Sequence, residues 1–134
     1  MRNNQINAFI DLVRENKRPN MVTCEIGCNY GDTSLCYIPM VKDLKGLAYL
    51  IDTFEGTKPG KYELDTHNAH SYNEYNVQNM YKELFGNISK LDLLDYVKIL
   101  KGDSQQVIHH IPDKSVDIIF IDGDHKYIVQ YIKI

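Results

Sequence analysis

The chain has 134 residues, 43% hydrophobic and 25% charged, which suits one folded domain with a genuine core and excludes both a disordered polar chain and a two-domain protein. A net charge of -3, with Lys and Arg scattered along the chain, offers no basic field, so no nucleic-acid partner is indicated. Three cysteines without framework spacing favour free thiols in a reducing compartment; with no long apolar run for a signal peptide or membrane span in MRNNQINAFIDLVREN, a cytoplasmic location is expected.

Ile6, Phe9, Ile10 and Val13 recur at helical spacing and predict an amphipathic first helix over Gln5 to Arg14, ended by Arg18-Pro19-Asn20. Met21 to Ile26 reads as the first strand, Thr33 to Leu44 as a crossover helix kinked at Pro39, and Leu47 to Asp52 as the second strand. Residues 53–72, with Gly56, Pro59 and Gly60, read as a long loop; its length and Tyr72 and Tyr75 nearby suit a lid or substrate wall. Helical spacing returns from Tyr75 to Phe85 through Val77, Met80, Tyr81 and Leu84, with Gly86-Asn87 expected to stop it. Tyr96 to Lys101 is a third strand, Ser104 to His110 a short helix, and Val116 to Ile121 a fourth strand. Near-continuous apolar strands alternating with helices define the α/β class, a parallel sheet with helices on both faces.

In such sheets the ligand sits beyond the carboxyl ends of the strands, where strand order reverses. All four predicted ends carry acidic or turn residues: Glu25-Ile26-Gly27, Asp52-Thr53, Gly102-Asp103-Ser104 and Asp122-Gly123-Asp124-His125. The first is the most informative. A strand that breaks at Gly27, turns through Gly31 and starts a helix near Thr33 gathers backbone N–H groups over a small hollow. A dinucleotide would want glycine where Asn29 and Asp32 stand, and Asp32 and Glu25 would repel a diphosphate. A ligand with an ammonium and a sulfonium but no phosphate suits the same turn, and S-adenosylmethionine has that chemistry. Cys24 and Cys28 read as half of a metal site or, with no second pair following, as packed core thiols, the reading that the usual burial of free cysteine favours. Asp122, Asp124 and His125 could hold a divalent cation or supply a general base, with His125 the base of a metal-free reaction or a turn residue orienting the aspartates. His67 and His70 read as solvated loop residues, His109-His110 as a helix end, Ser104 as a helix cap, and Asp103 as either a turn residue or a ligand contact.

The segments EIGCNYGDTS, LIDTFEGTKPG, ILKGDS and VDIIFIDGDHKY, in this order and spacing, resemble the class I S-adenosylmethionine-dependent methyltransferases, most closely the macrolide sugar O-methyltransferase-like small-molecule branch. The resemblance implies a Rossmann-like sheet of which this chain carries the first four strands in the order 3-2-1-4. Residues 1–19 would form an N-terminal helix and residues 20–134 the cofactor-binding half of a domain incomplete on its C-terminal side. By the same resemblance Glu25, Gly27 and Gly31 line the methionine end of S-adenosylmethionine, Asp52 accepts from the ribose hydroxyls, Asp103 and Ser104 approach the adenine, and Asp122 closes the pocket. Mg2+ at Asp122 and Asp124 would gather the hydroxyls of a small-molecule acceptor, a site half built without ligands from a next strand. A fourth strand that is central in the family would here have an open edge, inviting association with another copy. A fragment of a longer reading frame is expected, ahead of a natural truncation or a chain completed by a partner, with weak cofactor binding and little turnover of its own. Two other functions remain: a nicotinamide-dependent oxidoreductase, which Asn29 and Asp32 weigh against, and a non-catalytic cofactor-binding module that acts through a partner.

Overall fold

A computed structural model of the chain describes residues 2–28, 30–54 and 74–121. In chain order these form α1 (Arg2–Glu15), β1 (Val22–Ile26), α2 (Ser34–Asp43), β2 (Leu47–Asp52), α3 (Glu74–Lys90), β3 (Val97–Lys101), the single turn α4 (Ser104–Val107) and β4 (Ile118–Ile121), with 3-10 turns at Leu94–Tyr96 and Ile108–His110. Every strand pair is parallel and the sheet order is β3-β2-β1-β4, as expected. Among the described residues, no helix is long and apolar enough to cross a membrane.

The layers follow from the right-handedness of parallel crossovers. Moving from β1 to β2 to β3 in one direction puts α2 and α3 on the same face, and the return from β3 to β4 puts α4 on the other. Accordingly Phe9 and Val13 of α1, Tyr37, Ile38 and Val41 of α2, and Met80, Leu84 and Ile88 of α3 share one buried cluster with Ala48 and Leu50. On the opposite face Cys24, Tyr49 and Ile51 pack with Ile108, Ile111 and Val116. Alternation along β1 therefore sends Cys24 to one face and the buried Thr23 and Glu25 to the face that the longer helices cover.

The amino ends of β1 and β4 are tied by one side chain. Asp117 Oδ2 accepts from the Val22 N–H at 2.8 Å, Oδ1 accepts from Arg18 Nη1 at 3.2 Å, and the Asp117 N–H donates to the Val22 carbonyl at 2.8 Å. That clamp sets the register that pairs Thr23 with Ile118 and brings Ile26 level with Ile121.

α2 contains Pro39 within its span; Pro39 is exposed, and the buried Ile38 and Val41 on either side hold the helix to the sheet. One element departs from the sequence reading. The third helix does not stop at Gly86-Asn87 but continues to Lys90. Glycine in a helix costs about 1 kcal/mol relative to alanine, whereas burying Ile88 recovers about 1.5–3 kcal/mol. Ile88 lies one turn past Leu84 on the same face and is fully buried, so packing decides the matter.

A Cβ added to Gly86 would meet nothing within 4 Å. Gly86→Ala is therefore expected to stabilise the protein by about 0.5–1 kcal/mol, seen as a higher urea midpoint at unchanged slope. A lower midpoint would mean that the helix is not continuous there.

Candidate functional site

The carboxyl ends of the four strands lie on one rim. Ile26 pairs with Ile51 and with Ile121, and Asp52 pairs with Lys101, so the segments leaving the strands emerge side by side. Strand order reverses between β1 and β4, which places the ligand crevice of such a sheet at their ends.

The turn after β1 is built by two glycines. The Gly27 N–H donates to the Ile51 carbonyl at 2.8 Å, the last rung of the ladder, and φ of +91° then turns the chain. The Gly31 N–H donates to Cys28 O at 2.8 Å with φ of +90°, and Gly31 O accepts from the Leu35 N–H at 2.9 Å, so helical bonding reaches back beyond Ser34. Both φ values lie where only glycine is comfortable. Packing adds a second constraint at Gly31, because a Cβ there would lie 2.4 Å from Cδ1 of the fully buried Leu84. Contact with α3 thus accounts for Gly31 independently of any ligand.

Beneath the turn sits Glu25, 1% exposed. Its Oε1 accepts from Ser34 Oγ at 2.7 Å and from the Tyr37 hydroxyl at 2.9 Å. Ser34 and Tyr37 stand one helical turn apart on the same face of α2, so one carboxylate joins the end of β1 to the start of the helix. Burial, then the charge of Glu25 and the bond donated to it, push the Tyr37 phenol well above its usual range. In the turn itself the Cys28 thiol is raised too, first by burial, then by the charges of Asp52 and Glu25. Carboxylates from two neighbouring strands therefore act on one buried atom of the turn.

Asp52 is half-buried where β2 ends. Its Oδ1 accepts from the Phe54 N–H at 2.9 Å, a local turn that holds Phe54 at φ of +59°. Phe54 is fully buried and meets Tyr81 of α3 edge-on at 5.3 Å, which anchors the exit from β2.

Asp103 caps α4: its Oδ1 accepts from the Gln105 N–H at 2.8 Å, and its extended backbone puts the carboxylate within reach of that donor. Ser104, expected to be the cap, is instead the first helical residue. Cys24 and Cys28 are both buried and belong to clusters on opposite faces of the sheet, so they pack as core thiols. His109 and His110 are exposed at the end of the 3-10 turn after α4. Asn29, His67, His70, Tyr72, Asp122, Asp124 and His125 lie outside the described residues. Among the described residues, no group of three or more His, Cys, Asp or Glu could hold a metal ion.

Ser34, Tyr37 and Phe54 went unnoticed in the sequence. One signal was available for Tyr37: a tyrosine on the core face of a helix needs a hydrogen-bond partner, and the apolar strand beside it contains a single acid, Glu25.

The profile of a family described as a methyltransferase domain matches residues 24–132. No curated protein matches the chain. Among solved structures, the SAH-bound methyltransferase PaMTH1 of Podospora anserina is similar with a TM-score of 0.61 and 20% identity, over 89% of this chain and 40% of its own. The O-methyltransferase NovP gives 0.58 and 18% over 91% and 52%, respectively. A SAM-dependent methyltransferase from Aquifex aeolicus gives 0.52 and 20% over 88% and 55%. The likeness is one of fold, and this chain spans roughly half the length of those structures, from 40% to 55%.

Gly31→Ala is expected to destabilise the protein by about 2–4 kcal/mol, from backbone strain plus the clash with Leu84, and by less when Leu84→Ala is already present. A second expectation concerns alkali. The unfolded chain releases the Cys28 and Tyr37 protons at their ordinary pH, whereas the folded chain keeps them longer. Stability from this source is complete at neutral pH and falls as pH rises, so the melting temperature should drop between about pH 8 and about pH 11. Tyr37→Phe should lessen that drop.

Proposed function

The chain belongs to the methyltransferase domain family, and from that premise we propose that it carries the donor side of an S-adenosylmethionine-dependent methyltransferase whose acceptor is a hydroxyl of a small molecule. The observation that carries this reading is the placement of two carboxylates at one turn: Glu25, 1% exposed, on β1, and Asp52 at the end of β2, the strand whose Ile51 carbonyl accepts from the Gly27 N–H. A diphosphate would meet that field with the wrong sign, and an ammonium or sulfonium meets it with the right one.

The residues present fit the donor in three respects. Glu25 supplies a fixed buried charge, Gly27 and Gly31 two turn positions without side chains, and Asp52 a carboxylate whose two oxygens suit a ribose diol. When bound, the donor supplies an electrophilic methyl group on sulfur. The chain's own part is to orient that group, with the sheet rim below it and the α2 turn beside it. Asp122 and His125 are proposed to take the proton from the acceptor hydroxyl, and Asp122 and Asp124 to hold Mg2+, on the strength of the sequence resemblance; activity that survives exhaustive chelation would remove the ion from this scheme. Transfer to oxygen draws support from the likeness to the O-methyltransferase NovP, and a small acceptor from the sequence resemblance alone. The buried thiols of Cys24 and Cys28, outside any disulfide, support a reducing, cytoplasmic setting. Association along β4 draws support from its place at the end of the sheet order and from Ile121, 40% exposed.

Thermal shift and calorimetry with the two candidate ligands decide between donor classes. S-adenosylmethionine is expected to stabilise the chain and NAD not to, and Asp52→Ala should weaken S-adenosylmethionine binding by about 1.5–3 kcal/mol through loss of charged hydrogen bonds. Stabilisation by NAD alone would overturn the reading.

A further inference from the structure

We propose that Tyr37 and Ser34 are positioning residues of the donor site: their hydroxyls hold the buried Glu25 carboxylate as a fixed charge beneath the Cys28–Gly31 turn, and that charge raises affinity for the sulfonium donor relative to its neutral thioether product. The inference rests on the donor reading above and adds to it a basis for selecting substrate over product.

The geometry is specific. Glu25 is 1% exposed, and both hydroxyls, at 2.7 Å and 2.9 Å, converge on the same oxygen, Oε1. A carboxylate taken this far from water keeps its charge only if donors bond to it, and hydroxyl donors do so without neutralising it. The Tyr37 ring is itself held: Phe9 of α1 meets it edge-on at 4.7 Å and stacks on Phe120 of β4 at 4.3 Å. Tyr37 is fully buried, so it acts on a ligand only through Glu25. Among the described residues, the groups around the carboxylate include Ser34 and Tyr37 from α2, the Cys28 thiol in the turn, Cys24 on the far face of β1, and the uncharged Phe9 from α1 against the tyrosine. Asp52, the other carboxylate acting on the turn, is partly exposed and its field is more strongly screened by water. Donor and product share the ammonium and the ribose and differ in the methyl group and in the charge on sulfur, so a charge held out of water at the methionine end discriminates between them where a solvated one would not.

Calorimetric titration of the whole chain with S-adenosylmethionine and with S-adenosylhomocysteine tests this. Tyr37→Phe keeps the ring and its contact with Phe9, Ser34→Ala is the second, independent variant, and far-UV circular dichroism confirms that each folds. The ratio of donor to product affinity is expected to fall in both, by up to about tenfold in Tyr37→Phe. It should fall further in Glu25→Gln, where adding Tyr37→Phe changes it no more. A purely structural role would lower the unfolding midpoint and both affinities together; an unchanged ratio in Tyr37→Phe or in Glu25→Gln overturns the proposal. A wild-type chain that binds neither ligand would instead overturn the donor reading itself, and this inference with it.

Discussion

A carboxylate almost without solvent is the constraint around which this molecule is arranged. Glu25 stands on a largely apolar face, and the bonds from Ser34 and Tyr37 help make a charge there tolerable. Those two bonds fix how α2 leaves the sheet, and so fix the turn between β1 and the helix. Phe9 extends the constraint by packing against the tyrosine that holds the acid and the aromatic ring of β4. The first helix, the first crossover and the edge strand thus share one set of contacts, centred below the rim where strand order reverses.

The two ends of the sheet carry different work. At the amino ends Asp117 binds Val22 and Arg18 and sets the register between β1 and β4. At the carboxyl ends the backbone turns through left-handed φ at Gly27, Gly31 and Phe54, beside Glu25 and Asp52 on neighbouring strands. Conformations of that kind persist where neighbours hold them, and here the neighbours are on α3: Leu84 against Gly31 and Tyr81 against Phe54. The helix that follows the long connection is therefore a support for the site as well as a cover for the core.

Strand positions, strand order and the acids at the strand ends were all legible in the sequence. Leu47 to Asp52 is the second strand to the residue, because a buried parallel strand has to be apolar throughout and its end announces itself with an acid and a loop. Less legible were features decided by more than one element. Gly86-Asn87 looks like a stop until Ile88 is seen to lie in the core beside Leu84, and that the Asp103 carboxylate caps α4 through the Gln105 N–H is visible only in the fold. Cys24 and Cys28 look like a pair until the sheet separates them.

The order of apolar runs, breakers and acids along the chain was enough to determine an α/β sheet with its polar chemistry at one edge, since hydrophobic periodicity and crossover handedness leave few alternatives. Only the tertiary structure decided what the acid on the first strand is doing. Tyr37 lies twelve residues away from it in the chain, and no local pattern says that a helical tyrosine will fold back over its own strand to bond there. That pairing arises when the crossover docks, because burial removes water from both groups and leaves each as the partner the other needs.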